Sequence, residues 1–88
     1  MALKYAENPK RADYRLAVVV SRKVHKSAVV RNRIRRRLYE AVRLRAEKLQ
    51  GAYDLVLLVY SDQLAELPAP KLEKMLDKLL RDARLSAK

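Results

Sequence analysis

Apolar residues recur along this chain with two different periods, and each period marks an element. In "ALKYAE", residues 2–7, apolar and polar positions alternate as in a strand with one buried face. "NPKRAD" follows, and Asn8-Pro9 marks a turn. "YRLAVVVS", residues 14–21, is a stronger strand, β-branched at Val18, Val19 and Val20. With a connection of about six residues between them, the two suggest an antiparallel pair.

The period then becomes helical. Ser27 suits an N-cap. From Ala28 onward, at about 100° per residue, Val30, Ile34, Leu38, Ala41, Val42 and Leu49 share one stripe. No Gly or Pro interrupts the segment, which predicts a helix to about Gln50 with Gly51 as its stop. "YDLVLLVYS", residues 53–61, is a nearly continuous apolar run. It predicts a strand buried on both faces in the middle of a sheet. "DQLAELPAP" reads as a loop with room for a turn of helix, and Pro70 suits the first position of a second helix. There Leu72, Met75, Leu76, Leu79, Leu80 and Ala83 repeat at helical spacing through about residue 85. The order β-β-α-β-α predicts an α+β fold: a small two-layer sandwich whose helices cover one face of a mixed sheet and leave the other wet. No repeat or linker divides residues 1–88, so a single domain is expected.

Charge changes this picture most. The net charge is +11 over 88 residues. Residues 22–45 hold ten Lys/Arg against one acid, Glu40, so that segment carries +9 and the remaining chain only +2. Concentration of this kind implies a densely negative partner. On the helical projection, Arg35, Tyr39, Asn32, Arg43 and Arg36 lie opposite the core stripe. Arg33 and Arg37 sit on one flank beside Glu40, and Arg31 at the other edge near the helix start. Arg45 and Lys48 intrude on the stripe late. Glu40 has Arg36 and Arg37 within reach at i−4 and i−3; most other arginines have no acid near them on the helix. A charged helix face is often merely solvated, but like-charge neighbours weaken a helix, and so many unpaired arginines favour nucleic-acid binding. Arginine binds phosphate oxygens bidentately and stacks on bases, and Asn32 and Tyr39 add hydrogen-bonding and stacking groups. Docking on an anionic membrane would need the apolar stripe that covers the sheet.

Other chemistries find little support. There is no cysteine, hence no disulfide framework or thiolate metal site. The single histidine, His25, lies in a basic connection and reads as an exposed or RNA-facing residue rather than a ligand. The ten acids are scattered singly, with no nucleophile–base pair. No apolar run reaches the roughly 18 residues of a membrane span, and the start of the chain lacks the order of a secretory signal. A soluble cytoplasmic protein is expected.

"VVVSRKV" followed by "AVVRNRIRRRLYE" resembles the bacterial ribonuclease P protein subunit. The matching residues are Arg31, Asn32, Arg33, Ile34, Arg35, Arg36 and Glu40 in the helix, with Ser21, Arg22 and Lys23 at the end of the preceding strand. "GAYDLVLLVYS" and the leucine-rich final helix are also similar to the family. The resemblance implies a ribosomal protein S5 domain 2-like fold with a left-handed β-α-β crossover, against the usual hand. It implies an accessory subunit of an endoribonuclease that matures the 5′ end of tRNA. The catalyst is then ribonuclease P RNA with Mg2+ bound to the RNA; the protein alone binds no cofactor, is not catalytic, and needs no protein or membrane partner. The substrate is precursor tRNA, whose 5′ leader lies in a cleft on the exposed sheet face.

RNA binding is accordingly expected at Arg22, Lys23, Lys26, Arg31, Asn32, Arg33, Arg35, Arg36, Tyr39 and Arg43. Lys4, Tyr5 and Arg15 are candidates for the leader cleft, although Tyr5 equally fits packing in the sheet, and Tyr60 reads as packing. Three departures stand out. The family's aromatic N-terminal helix, one wall of the cleft, is apparently absent: the chain starts almost at the first strand, so either it is truncated or the cleft is open. The loop "KVHKSAVV" is one residue longer than the common form and lacks its glycine. Tyr39 stands where the family often has arginine. The alternative reading is a ribosomal or other structural RNA-binding protein with no role in cleavage. A stand-alone nuclease is disfavoured by the scattered acids.

Overall fold

The computed structural model describes residues 1–8, 10, 13–46, 49 and 52–84. The elements are β1 (Ala2–Glu7), β2 (Arg15–Val20), α1 (Ala28–Arg43), β3 (Tyr53–Val59) and α2 (Ala69–Asp82), with a 3-10 turn at Asp62–Ala65. The order β-β-α-β-α and the mixed α+β sheet are those expected from the periodicity.

The pairing of the strands differs. The sheet order is β1-β3-β2: β3 runs antiparallel to β1 and parallel to β2. The first two strands therefore form no hairpin. The reason lies in β3, the most apolar strand, which belongs where both its edges are hydrogen-bonded. Placing it between β1 and β2 makes α1 a crossover whose apolar stripe lies over the sheet.

Burial along β3 alternates. Leu55, Leu57 and Val59 are buried, whereas Asp54, Val56 and Leu58 are half-buried. The expectation of burial on both faces is thus corrected, because both helices cover the same face. The register Val18↔Leu57 and Val20↔Val59 puts the buried residues of β2 on that face. Ile34, Leu38, Ala41 and Val42 of α1 and Leu72, Leu76 and Leu80 of α2 complete the core. Each fully buried leucine there contributes about 1.5–3 kcal/mol relative to exposure.

Helix ends follow from side-chain chemistry. Ser27 is the N-cap of α1, its Oγ accepting the Val30 N–H at 3.4 Å. α1 ends at Arg43, short of the expected Gln50. At residue 45 the apolar stripe meets an arginine, which crosses to Glu73 and Asp77 of α2. The backbone tightens at that point, the Arg45 N–H donating to the Val42 carbonyl at 2.9 Å. Lys48, Gln50 and the expected stop at Gly51 lie outside the described residues. α2 carries Pro70 in its first turn and ends at Asp82, three residues before the expected end.

Candidate nucleic-acid interface

Burial of Ile34, Leu38, Ala41 and Val42 fixes the rotation of α1. Asn32, Arg36, Tyr39 and Arg43 must then face away from the sheet, and all four are exposed. Val29, Asn32, Arg35, Arg36 and Tyr39 line a shallow groove of about 440 Å³ on this outer face. Arg35 spans the groove and the sheet. Its Nη1 donates to Asn32 Oδ1 at 2.6 Å, and its Nη2 donates to the Val20 carbonyl at 3.3 Å. That second bond holds the end of β2 against α1, so the turn carrying Arg22 and Lys23 sits beside the outer face. The turn is closed by the Val24 N–H on the Ser21 carbonyl at 3.0 Å.

The connection into α1 is also ordered by an arginine. Arg31 Nη1 donates to the carbonyls of His25 and Lys26 at 2.9 and 2.8 Å. His25 is half-buried, and its Nδ1 accepts the Ser27 N–H at 3.0 Å. His25 thus shapes the loop in front of the helix, a role its position in a basic connection did not announce.

Several other cations are matched within the fold. Arg33 pairs with Glu66 at 3.3 Å. Arg37 donates to the Leu64 carbonyl at 2.6 Å and also to the Leu67 carbonyl. Together they hold the segment around the 3-10 turn against α1. Glu40 pairs with Arg43, whose Nε donates to Oε2 at 3.0 Å, and not with Arg36 or Arg37. Arg37 is already engaged by carbonyls, and Arg43 lies one turn on along the exposed flank. The hydrogen bond from Arg43 is the main reason the Glu40 carboxyl lies below its ordinary range; burial opposes it, and the charge attraction of Arg43 adds to it. The same bond raises Arg43. Arg45, 11 % exposed, is raised chiefly by its bond to Asp77, with Glu73 assisting and burial opposing.

Among the described residues no ion pair engages Arg22, Lys23, Lys26, Arg31, Arg35 or Arg36. Arg22, Lys23, Lys26 and Arg36 are exposed as well. Six cations without an ion pair thus stand together around the first half of α1 and the turn before it. Of the residues expected to meet RNA, Arg22, Lys23, Lys26, Arg36 and Tyr39 are displayed freely, and Asn32 is exposed with its Oδ1 held by Arg35. Arg31 and Arg35 also brace backbone carbonyls, and Arg33 and Arg43 are paired with acids.

The candidates on the sheet divide between its faces. Lys4 is in register with Val56 on the face away from the helices, and Arg15 is in register with Asp54 on that same face. Arg15 is tied to Asp54 at 3.3 Å. Tyr5 is in register with Leu55 on the helix-covered side. Its ring meets Tyr53 edge-on, with centroids 6.2 Å apart. Lys4 and Arg15 therefore share the open face, and Tyr5 is on the other. Tyr60, expected to pack, is 66 % exposed. Continuing the alternation of β3 past Leu58 would have placed it on the open face. Among the described residues, no cluster of three or more His, Cys, Asp or Glu is arranged to hold a metal ion. Asp54, Glu40, Glu66, Glu73 and Asp77 each face an arginine instead.

The family model for Ribonuclease P matches residues 1–84. The chain belongs to the ribonuclease P protein family. It is 45% identical over 71 residues to the ribonuclease P protein component of Synechococcus sp. (strain WH7803), covering 81% of this chain and 54% of that one. It is 41% identical over 76 residues to the ribonuclease P protein component of Chloroflexus aurantiacus (strain ATCC 29366 / DSM 635 / J-10-fl), covering 86% and 56%. The chain thus spans about half the length of these curated relatives. Its fold is similar to that of the Staphylococcus aureus RNase P protein, with a TM-score of 0.79 at 21% identity over 96% of this chain and 74% of that one. The RNase P protein of Thermotoga maritima, solved with 1-(4-fluorophenyl)-2-thiourea, gives a TM-score of 0.75 at 23% identity over 89% and 74%. Among the described residues no helix is long and apolar enough to cross a membrane.

Proposed function

We propose that this chain acts as the protein component of ribonuclease P, an accessory subunit working in the cytoplasm on the catalytic RNA and precursor tRNA. The observation that carries this reading is the outer face of α1 with the adjoining turn. Arg22, Lys23, Lys26 and Arg36 stand exposed with no acidic partner among the described residues, around Asn32 and Tyr39. Such a face suits a structured RNA, because arginine forks fit phosphate oxygens and the rigid helix holds them at fixed spacing.

On this reading the protein performs no bond cleavage. Five of its acids sit in ion pairs, and on this reading the Mg2+ for phosphodiester hydrolysis is held by the RNA. The chain's own contribution is electrostatic and positional. The α1 face neutralises phosphates of the catalytic RNA. The open sheet face, with Lys4 and Arg15, receives the 5′ leader. Binding the leader and the RNA at once raises substrate affinity without adding a reactive group.

The test is single-turnover cleavage of precursor tRNA by ribonuclease P RNA at low Mg2+, with and without the protein. Added protein should accelerate cleavage, and removal of the leader beyond its first nucleotide should reduce the gain. Absence of any acceleration would favour the other reading, a structural RNA-binding protein; ribosomal RNA would then dominate the RNA co-purifying with the chain.

A further inference from the structure

The second helix carries a cationic surface of its own, apart from the arginine motif of α1. Leu72, Leu76 and Leu80 are buried and set the rotation of α2. At about 100° per residue, Lys71, Lys74, Lys78 and Arg81 then fall within roughly 40° of the direction opposite that buried stripe. All four are exposed. They form one row about 15 Å long, with steps of about 4.5–6 Å along the helix axis.

The fold makes this row more positive than the composition of α2 suggests. Residues 69–82 carry four cations against three acids, Glu73, Asp77 and Asp82. Glu73 and Asp77 lie on one flank of the helix, where Arg45 from beyond the end of α1 meets both. Asp82 alone stays near the row, at its end. Among the described residues no ion pair engages Lys71, Lys74, Lys78 or Arg81. Neighbours in the row are three or four residues apart and all of like charge, which weakens a helix. A face kept only for solubility mixes its signs.

The occupant follows from what the row has and lacks. It offers point charges at fixed spacing on a rigid helix, and α2 contains no aromatic residue. Single strands are held by aromatic platforms beside the cations. An anionic membrane takes a helix through apolar side chains next to the charges, and Met75, 38 % exposed, is the one large apolar residue of α2 that stands open. The backbone of a double helix presents phosphates while its base faces are stacked away, and a bare row of cations suits it.

We propose that the row of Lys71, Lys74, Lys78 and Arg81 binds the phosphate backbone of a double-helical RNA segment. The inference rests on the nucleic-acid function proposed above and deepens it, adding a second structured-RNA surface. α1 packs on β2 and α2 on β1, the two edge strands of the sheet. The chain thus holds one RNA segment against α1 and another against α2, and neither contact uses the open sheet face. Backbone contacts carry no sequence information, so the α2 surface takes duplexes of any sequence.

The experiment measures binding of a short, blunt-ended, fluorescein-labelled RNA duplex of mixed sequence to the full chain across a salt series. The comparison is a Lys71→Gln/Lys74→Gln/Lys78→Gln/Arg81→Gln variant. Each lost phosphate contact removes about 0.9 from the slope of log affinity against log salt, so this variant should lose roughly 3–4. It should stay folded by circular dichroism, because like charges are relieved. Lys71→Arg/Lys74→Arg/Lys78→Arg should keep the slope of the intact chain. Lys10→Gln, which removes an exposed cation in the turn after β1, should leave the slope unchanged. The chain has no cysteine, so Met75→Cys carries a single photo-crosslinker beside the row, and it should crosslink to the duplex. An unchanged slope in the fourfold variant overturns the proposal. So does a loss of slope in Lys10→Gln as large per charge, or no crosslink from Met75→Cys. Retained duplex binding with lost binding to vesicles of phosphatidylcholine and phosphatidylserine would overturn it in favour of a membrane surface. An unchanged slope together with accelerated cleavage of precursor tRNA would sink the α2 surface alone. A lowered slope without acceleration would sink the ribonuclease P reading alone.

Discussion

Arg36 and Arg37 are adjacent in the sequence and about 100° apart around α1. That rotation gives them different partners. Arg37 donates to two carbonyls beside the 3-10 turn, while Arg36 is exposed with no acid beside it among the described residues. Arg37→Ala should therefore cost about 1–3 kcal/mol of stability in urea unfolding, since it leaves those carbonyls without their donor. Arg36→Ala should change stability by less than about 0.5 kcal/mol and instead lower affinity for structured RNA. A helical projection separates the two, but only the fold shows that the Leu64 and Leu67 carbonyls wait on the Arg37 side. Those carbonyls belong to a loop about thirty residues away, which no local pattern locates. Glu40 offers a second test at this scale. Its carboxyl lies below the ordinary range because Arg43 donates to it. A depressed carboxylate contributes its small stabilisation above the unfolded-state value and loses it as pH falls through the folded value. Arg43→Ala should move the Glu40 midpoint up toward the ordinary range in an NMR titration.

Among the elements, the start and the buried face of α1 agree with its sequence, because its apolar spacing and Ser27 cap are local signals. Its end is less legible. Arg45 falls on the core stripe, where periodicity alone expects an apolar neighbour, yet it meets acids of α2. Arg45→Ala should destabilise the protein by about 1–3 kcal/mol, since the side chain is 11 % exposed and bridges Glu73 and Asp77. The half-exposed acids keep the value from being larger. Leu38→Ala should cost about 2–5 kcal/mol through the cavity it opens, Leu38 being fully buried. At the end of α2, Arg84 holds φ 60, in the left-handed region. Arg84→Gly should raise the thermal midpoint, the gain being about 1 kcal/mol. Strand order was the hardest element-scale feature to foresee. β1 and β2 each look like partners for the other, and only the apolar dominance of β3 argues that it takes the centre.

At the scale of the whole molecule, two layers divide the labour. One sheet face and the inner sides of two helices form the core. The outer side of α1 and the bare sheet face remain for partners. Charge segregation was legible in the sequence, because ten basic residues between 22 and 45 face a single acid. What was not legible is which of those cations the fold neutralises: Glu66, Glu73 and Asp77 come from elements that reach α1 only after folding. The central claim is that the cations left over bind RNA phosphates. Its most direct test is the salt dependence of affinity for ribonuclease P RNA, comparing the intact chain with a folded Arg22→Ala/Lys23→Ala/Arg36→Ala variant. Three lost phosphate contacts should reduce the slope of log affinity against log salt by roughly 2–3. A slope unchanged by the three substitutions would contradict the account.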